Sequence, residues 1–579
     1  MSSFFSPHLK YLTPELLIQL KERSDKFVFD ITSANCKSKF CQTAGELSIF
    51  RHAVESLHDD EQGFLQNFRD LVPLTVYDTY QPFVARFFNK PCQESEVIDL
   101  FAPGLPSFIA VSSATSGKAP KFFPKYMGTT WRPPASPITS QSVYTYDIRY
   151  KEILNVSRGD QDIVRKIPVI PASGGLMRVQ MGWNPDEDED RMSSKVPGET
   201  APHAVAMVAH HTSFLLLHAL FALADRSVET LRILFSTTFL DMFMYIDREW
   251  VTLVDAIENG VIPEFEHIEH VQEHLERHLC ADPVRAAELR DIGPPSNTIG
   301  WAKCVWPNLK IAFSTGSGSF SSVVPKVKHF LGPDVILQTP GYGSSECVIG
   351  ITYPGNLNLF KVLLHDAFIE YLDVASEEVA NKLCAAWEAE AGRQYELVLT
   401  TFNGLWRYRL GDVVELMGFA PDDGSPVVRF VERRNAGIKF ESALITEGQL
   451  VQSICSATQD TTGQVVEFTC FEDTRKLPST VGFFVELAQG LSFLGTSPHL
   501  AKQRLLDALS SANENFRNAY EAGWFGMPTI RVVKPGTFLE YRRWRGETTT
   551  IGTCQVKVPA VMSNITAQEW IMNRVELEL

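Results

Sequence analysis

Two short apolar runs break off into clusters of Ser, Thr and Gly, and this pattern limits what the chain can fold into more than any other feature. Phe108 to Val111 runs into Ser112 and Ser113, and Leu309 to Phe313 runs into Ser314, Thr315 and Gly316. Strands that end in small polar residues are how α/β folds offer backbone N–H groups to a ligand. Helical segments are predicted around them at Pro14–Arg23, Ala44–Leu65, Thr212–Leu223 and Asp241–Ile257. Beyond about Arg433 the texture changes. Short strands at Val465–Phe471, Val481–Leu487 and Thr529–Val533 surround a helix at Pro498–Ala512, the pattern of a small α+β unit. The chain therefore reads as α/β, with a large N-terminal domain of mixed sheets and helices over residues 1–433 and a small C-terminal domain over 434–579. No repeat of solenoid or propeller period is visible.

With 579 residues, of which 44% are hydrophobic and 21% charged, the chain can bury a sizeable core. The net charge of −16 argues against nonspecific binding to nucleic acid or an anionic membrane, so a polyanionic ligand must be met by a local cationic pocket. The start of the sequence has no basic stretch followed by a signal-length apolar run, and a cytoplasmic address is expected. The ten cysteines are scattered without a C-x-x-C or a zinc-like spacing and read as reduced, packed thiols. Ala201 to Ala224 carries no formal charge, yet its four histidines (His203, His210, His211, His218) favour a buried helix over a membrane span. The acidic run Asp186–Asp190 reads as a solvated loop without the glycine and terminal glutamate of a calcium loop.

Three segments carry candidate chemistry. The first runs from Ser112 to Lys121 and includes Ser113, Thr115, Ser116, Gly117 and Lys118. Hydroxyls and small residues after a strand, closed by a lysine, can wrap a polyphosphate. It is not a Walker A loop, because Ser112 stands at the first glycine and Ala119 at the magnesium-binding hydroxyl. The second is Tyr342, Gly343, Ser344, Ser345 and Glu346, and the third is Tyr408, Arg409, Leu410, Gly411 and Asp412. An aromatic ring can stack on a purine, Glu346 can hold a divalent cation, and Asp412 can accept hydrogen bonds from both ribose hydroxyls.

In order and type these segments resemble the signature motifs of the adenylate-forming superfamily of acyl-CoA synthetases, luciferases and peptide-synthetase adenylation domains. Within it the chain is most similar to the auxin-responsive acyl-acid amido synthetases, the plant-type enzymes that join carboxylic acids to amino acids. The length of the Ser112–Lys121 loop, Trp306-Pro307 ahead of Ser314–Phe320, the Arg429–Asn435 segment, Gly536–Phe538 and Gln555–Pro559 all look like that family. The resemblance implies a large domain, a small mobile domain, and ATP with Mg²⁺ between them. It implies an ATP-dependent, AMP-forming ligase that adenylates a carboxylic acid and passes the acyl group to an amine, expected to be an amino acid. Residue by residue it implies that Ser112, Ser113, Thr115, Ser116 and Lys121 hold the phosphates. Gly316, Ser317, Gly318, Tyr342, Gly343, Ser344 and Ser345 then frame the nucleotide, Glu346 binds Mg²⁺, Asp412 and Arg433 fix the ribose, and Lys557 joins Glu346 as a catalytic residue. Ala114, Leu444 and Ala560 depart from the family pattern and bear on which acid and amine are recognised. Small-molecule partners, no nucleic acid, no membrane and a monomeric state are expected. The uncharged stretch around Ala204–Leu220 is compatible with an acyl-pocket wall and equally with a plain core helix.

Three other readings stand beside this one. His267, His270, His274 and His278 fall on one face of a helix, and His270–His274 spells an inverted zinc-peptidase motif, H-x-x-E-H, but no third acidic ligand follows and the stretch is rich in Glu and Arg. A non-catalytic nucleotide-binding partner protein would be favoured by loss of Glu346, Asp412 or Lys557, all of which are present. A thioester-forming synthetase using coenzyme A or a carrier protein remains a third possibility, although the chain holds no appended carrier domain.

Overall fold

The computed structural model describes residues 8–55, 57, 60–112, 120–126, 141–159, 162–354, 356, 358–376, 378–434, 437–440, 443–458, 465–475, 477–488, 490, 500–548 and 556–579. Ser113, Thr115 and Ser116 of the expected phosphate loop lie outside the described residues.

Among the described residues the large domain holds three sheets. Five strands pair in a mixed sheet that includes Phe108–Val111 and Phe122–Lys125, the antiparallel pair on either side of the Ser112–Lys121 loop. Eight antiparallel strands form a second sheet, with Tyr408–Phe419 between Gln394–Thr401 and Pro426–Arg433, and Tyr342–Gly343 at one edge. These two sheets share one core, in which Trp406 and Tyr371 are fully buried. The third sheet is wholly parallel, in the order Ser142–Thr145, Thr230–Phe235, Ile311–Thr315, Ile336–Gln338. Its residues alternate between faces as strand geometry requires. Val143, Leu231, Ala312 and Leu337 form a buried row that packs into a core with the helices His211–Ala224 and Ser236–Arg248.

The small domain is a four-stranded sheet, Val465–Asp473, Thr480–Leu487, Thr529–Val533 and Val575–Glu578, with helices on both faces. Helices Glu447–Thr458 and Ala501–Ala512 pack on Phe468, Phe483 and Val485, while Thr537–Thr548 and Ile565–Met572 pack on Phe471 and Phe484. Helix Thr537–Thr548 also lies against the large domain, where a Cβ on Gly546 would come within 3.4 Å of His211 Cβ.

Several sequence expectations are corrected at their boundaries. Ala44–Leu65 is not one helix: a turn at Gly45–Leu47 leads to Ser48–Val54, and a new helix, Glu61–Leu71, starts where Asp60 accepts the Gly63 N–H at 2.9 Å. Asp241–Ile257 is two helices, Ser236–Arg248 and Trp250–Asn259, the second closed by Gly260 at φ 66°. The acidic run is a short turn and helix, Pro185–Glu187 and Asp188–Met192, with Asp188 paired to Arg178 at 2.8 Å. The four-histidine face does not form. His267 takes φ 60°, a left-handed conformation that ends any helix there, and only Gln272–Glu276 is helical. His274 Nδ1 lies 2.6 Å from Ser193 Oγ, and His278 Nε2 2.6 Å from the Ser193 carbonyl. Among the described residues no group of three or more His, Cys, Asp or Glu could hold a metal ion, and no described helix is long and apolar enough to cross a membrane. Helix His211–Ala224 is buried on nearly every side, with His211 and His218 in the core, where burial pushes both imidazoles down to about 3.

Candidate active site

The three sequence motifs converge at strand ends. Ser112 and Lys121 close the neck of their loop with a backbone bond from Ser112 N–H to the Lys121 carbonyl and a bond from Lys121 N–H to Ser112 Oγ, both 2.9 Å. Lys121 Nζ then lies 3.3 Å from the Tyr408 hydroxyl and 5.4 Å from the Tyr77 ring centre. The Tyr408 hydroxyl lies 3.3 Å from Glu346 Oε1 and donates to it. One chain of contacts thus links the loop's lysine, the start of the third motif and the carboxylate of the second.

Glu346 is held by its own turn. Ser344 Oγ accepts the N–H groups of Glu346 at 3.2 Å and Cys347 at 3.3 Å. From behind, Lys125 donates its ammonium to the Glu346 carbonyl. Lys125 is 6% exposed and burial lowers its pKa. Sequence reasoning missed this lysine, and nothing in the run Phe122 to Lys125 marks it. Cys347 is a packed thiol pushed upward by burial, with Lys125 opposing. Ser345 is half-buried and Gly343 exposed on the same turn.

Asp412 sits in the middle of the eight-stranded sheet beside Arg433, its partner in register. Gly411 before it takes φ 84°, a left-handed conformation that favours glycine. The Tyr342 hydroxyl donates to Asp412 Oδ2 at 2.8 Å and Arg433 Nε stands 3.5 Å from Oδ1. Burial raises the Asp412 pKa, and Arg433 and the Tyr342 hydroxyl oppose that rise. The Tyr342 ring packs against Phe360 and Phe430 and is 9% exposed, so in this structure it orients Asp412 as well as bordering the site.

The second loop follows Ile311–Thr315. A Cβ at Gly316 would come within 2.7 Å of Val324 Cγ2 and 3.2 Å of Ser236 Oγ, so any side chain here would have to displace Val324. Ser317 is half-buried, and Gly318 opens the turn Gly318–Val323 that carries Phe320. Phe320 stacks on Phe235 with ring centres 4.7 Å apart. Lys557 of the small domain places Nζ 5.7 Å from each of these rings. Burial lowers the Lys557 pKa; the Glu447 and Asp412 carboxylates oppose the fall and Arg433 adds to it. Burial raises the Glu447 pKa, with Lys557 and Arg433 opposing. Residues from both domains therefore share one electrostatic cluster. Phe235 and Phe320 were not singled out from sequence, although Phe235 also ends a strand and precedes Ser236, Thr237 and Thr238.

A single buried carboxylate fits Mg²⁺ better than a metal needing a full protein cage, because Mg²⁺ is commonly held by one or two carboxylates together with substrate phosphates. Glu346 meets that requirement, and Lys121, Arg433 and Lys557 supply the local positive charge that an acidic chain needs to receive a polyanion.

A large α/β domain joined to a small domain that turns a lysine toward the same cluster is the architecture of the adenylate-forming enzymes. The described fold superposes on the GH3.15 acyl acid amido synthetase with TM-score 0.74 at 21% identity, covering 98% of this chain and 96% of that one. It also matches 2-hydroxyisobutyryl-CoA ligase in the postadenylation state with TM-score 0.50 at 10% identity, covering 97% and 94%. Residues 20–336 match the GH3 family N-terminal domain, 360–433 its central domain and 448–565 its C-terminal domain. The chain belongs to the GH3 family. Among its relatives are indole-3-acetic acid-amido synthetase GH3.8 of Oryza sativa subsp. indica, 26% identical over 85% of this chain and 82% of that protein, and the 4-substituted benzoates-glutamate ligase GH3.12 of Arabidopsis thaliana, 24% identical over 92% and 91%.

Proposed function

We propose that this protein activates a small carboxylic acid with ATP at the cluster around Glu346, Asp412 and Lys557 and transfers the acyl group to an amino acid. It is an acid–amino acid ligase, as its amido synthetase and ligase relatives are named, and the reaction is of the AMP-forming type. The observation that carries the assignment of roles is that Lys557 of the small domain lies 5.7 Å from the Phe235 and Phe320 rings of the large domain and feels the charges of Asp412 and Arg433 there.

In the first half-reaction a carboxylate oxygen attacks the α-phosphorus of ATP, a P–O bond to pyrophosphate breaks, and an acyl-adenylate forms. A carboxylate is a poor electrophile and this step converts it to a mixed anhydride with a good leaving group. In the second, the amine nitrogen attacks the acyl carbon, the C–O bond to AMP breaks, and the nitrogen loses a proton as the amide forms. Asp412, held by Tyr342 and Arg433, would accept the ribose hydroxyls. Ser112, Ser113, Thr115, Ser116 and Lys121 would hold the phosphates, and Gly316, Ser317, Gly318 and Gly343–Ser345 would border the adenine. Glu346 would hold Mg²⁺, which supplies charge neutralisation to the triphosphate when bound. Lys557 would neutralise charge between the α-phosphate and the incoming carboxylate, where it is greatest in the transition state.

The small domain, residues 434–579, would rotate so that Lys557 serves the first step and withdraws for the second. The test is pyrophosphate release across a panel of carboxylic acids, with and without an amino-acid mixture. Acid-dependent release, with amide formed only when an amine is present, is the expected result. Product formed only with coenzyme A would replace the amide assignment with thioester formation.

A further inference from the structure

We propose that Arg232, flanked by the Tyr144 and Phe313 rings on the open face of the parallel sheet, receives a second anionic group on the acid, so that the preferred acyl substrate is dianionic.

The row Tyr144, Arg232, Phe313, Gln338 runs across all four strands in register, on the face opposite the buried row Val143, Leu231, Ala312, Leu337. Parallel sheets are as a rule covered on both faces. Here Arg232 is exposed, Tyr144, Phe313 and Leu234 are half-buried, and Ile336 is 64% exposed. The guanidinium carbon lies 6.0 Å from the Tyr144 ring centre and 5.2 Å from that of Phe313. Rings on either side fix a guanidinium in place and leave its N–H fork free to meet a planar carboxylate. Among the described residues Arg232 makes no side-chain hydrogen bond and no ion pair within 4 Å.

The acid whose charge it feels is Glu199, which is 4% exposed and already accepts the Tyr146 hydroxyl at 3.0 Å. Burial pushes the Glu199 carboxyl up to about 7, with Tyr146, Arg232 and Lys195 opposing. Glu199 is thus already engaged with Tyr146 and, among the described residues, is not paired with Arg232.

Position selects the ligand. Arg232 and Leu234 lie on the strand that ends at Phe235, the ring beneath Lys557, and a register shift between Arg232 and Phe235 pairs Phe235 with Thr315 where Arg232 is paired with Phe313. Three residues of strand span roughly 10 Å. An acid whose first carboxylate is activated near Lys557 can lay an apolar or aromatic body along Leu234 and reach Arg232 with its far end. Charge complementarity then favours a second carboxylate, or a sulfonate or phosphonate, over a neutral terminus.

This inference rests on the adenylation reading and deepens it. The experiment compares matched pairs, terephthalic with benzoic acid and octanedioic with octanoic acid, by ATP–pyrophosphate exchange without amine and by calorimetric binding, in wild type, Arg232→Met and Arg232→Lys. The wild type is expected to prefer the dianionic member of at least one pair by about 10- to 100-fold in kcat/KM, the range of a charge-assisted hydrogen-bonded contact. That preference should fall to near unity in Arg232→Met and return in part in Arg232→Lys. Equal acid selectivity in wild type and Arg232→Met overturns the proposal while leaving the adenylation reading intact. An effect confined to the KM of the amino acid in the full reaction also overturns it, since the anion would then belong to the acceptor. If no acid supports exchange, the adenylation reading fails, and calorimetry still decides: Arg232-dependent diacid binding supports the site, and equal binding in both proteins removes it.

Discussion

Arg542 joins the two domains through a fully desolvated ion cluster, and removing one charge from it should separate the two half-reactions. Arg542 stands on the small-domain helix Thr537–Thr548 and is 2% exposed. Its Nε and Nη2 donate to both carboxylate oxygens of Asp241, 2.5 Å each, on the large-domain helix Ser236–Arg248. Its Nη1 donates to both oxygens of Glu467 at 2.7 Å within its own domain. Asp241→Asn keeps the shape and one acceptor but removes the charge that crosses the interface. Removing one partner of a buried pair costs about 3–5 kcal/mol, and the remaining amide acceptor brings the expected cost toward 2–3 kcal/mol. Arg542 and Glu467 stay paired on the small domain, so the cost falls on domain docking rather than on folding. At about 1.4 kcal/mol per factor of ten, the docked arrangement should lose roughly 30- to 100-fold in population relative to a rotated one. ATP–pyrophosphate exchange, which under the proposed mechanism draws on Lys557, should fall toward that factor once docking is no longer saturated. Single-turnover amidation from synthetic acyl-adenylate should be unaffected or faster. A parallel fall in both half-reactions together with a lowered Tm would refute the reasoning, because the pair would then hold the fold and not the domain position.

Lys557→Ala should lose most exchange yet still convert supplied acyl-adenylate to amide; equal loss in both assays would remove its step-specific role. Because burial lowers the Lys557 pKa from 10.5, the adenylation rate should be present at neutral pH and fall as pH rises through a limb below the ordinary lysine range. Arg at this position, charged throughout, should abolish that limb, and an unchanged kcat/KM profile would count against the assignment. Asp412→Asn should raise the KM for ATP by about ten- to a hundredfold through loss of a charge-assisted ribose contact, checked by initial rates, and an unchanged KM would take Asp412 out of the site. Glu346→Gln should demand more Mg²⁺ for the same exchange rate, since an amide is a poorer ligand for a hard cation, and full activity at limiting Mg²⁺ would sink the metal role. Arg407→Met should destabilise the fold by about 3–5 kcal/mol in denaturant unfolding, because Glu370 would be left buried without the two bonds of 2.9 and 2.8 Å it now receives.

The parts of this site that were legible in sequence are those in which contiguous residues do the work. A strand-end loop or a turn that presents Glu346 uses neighbouring side chains and backbone, so the segments Ser112–Lys121, Tyr342–Glu346 and Tyr408–Asp412 stand out in order. The four-histidine face failed because periodicity assumes a continuous helix, and a single residue at φ 60°, His267, removes that premise. Lys125 left no trace because its partner is a backbone carbonyl 221 positions away, and a carbonyl has no residue type to read.

The same distinction separates chemistry from control in this fold. Arg542 and Asp241 are 301 positions apart, and each alone looks like an ordinary charge on an amphipathic helix. Their pairing exists only because the small domain docks in one orientation, so it marks that orientation and nothing about the reaction. Arg232 follows the same logic within a single sheet. Tyr144, Arg232 and Phe313 come from three separate stretches of chain, and it is the parallel register that sets the cation between the two rings. Under the proposed function the nucleotide is the constant substrate, so segments that hold it can be local. The far end of the acid differs from member to member, and a residue that reads it is free to arise wherever the sheet brings an unpaired side chain to the open face. Substitution confined to the three motifs would therefore alter how fast an acid is activated, whereas exchange of Arg232 should alter which acid is chosen.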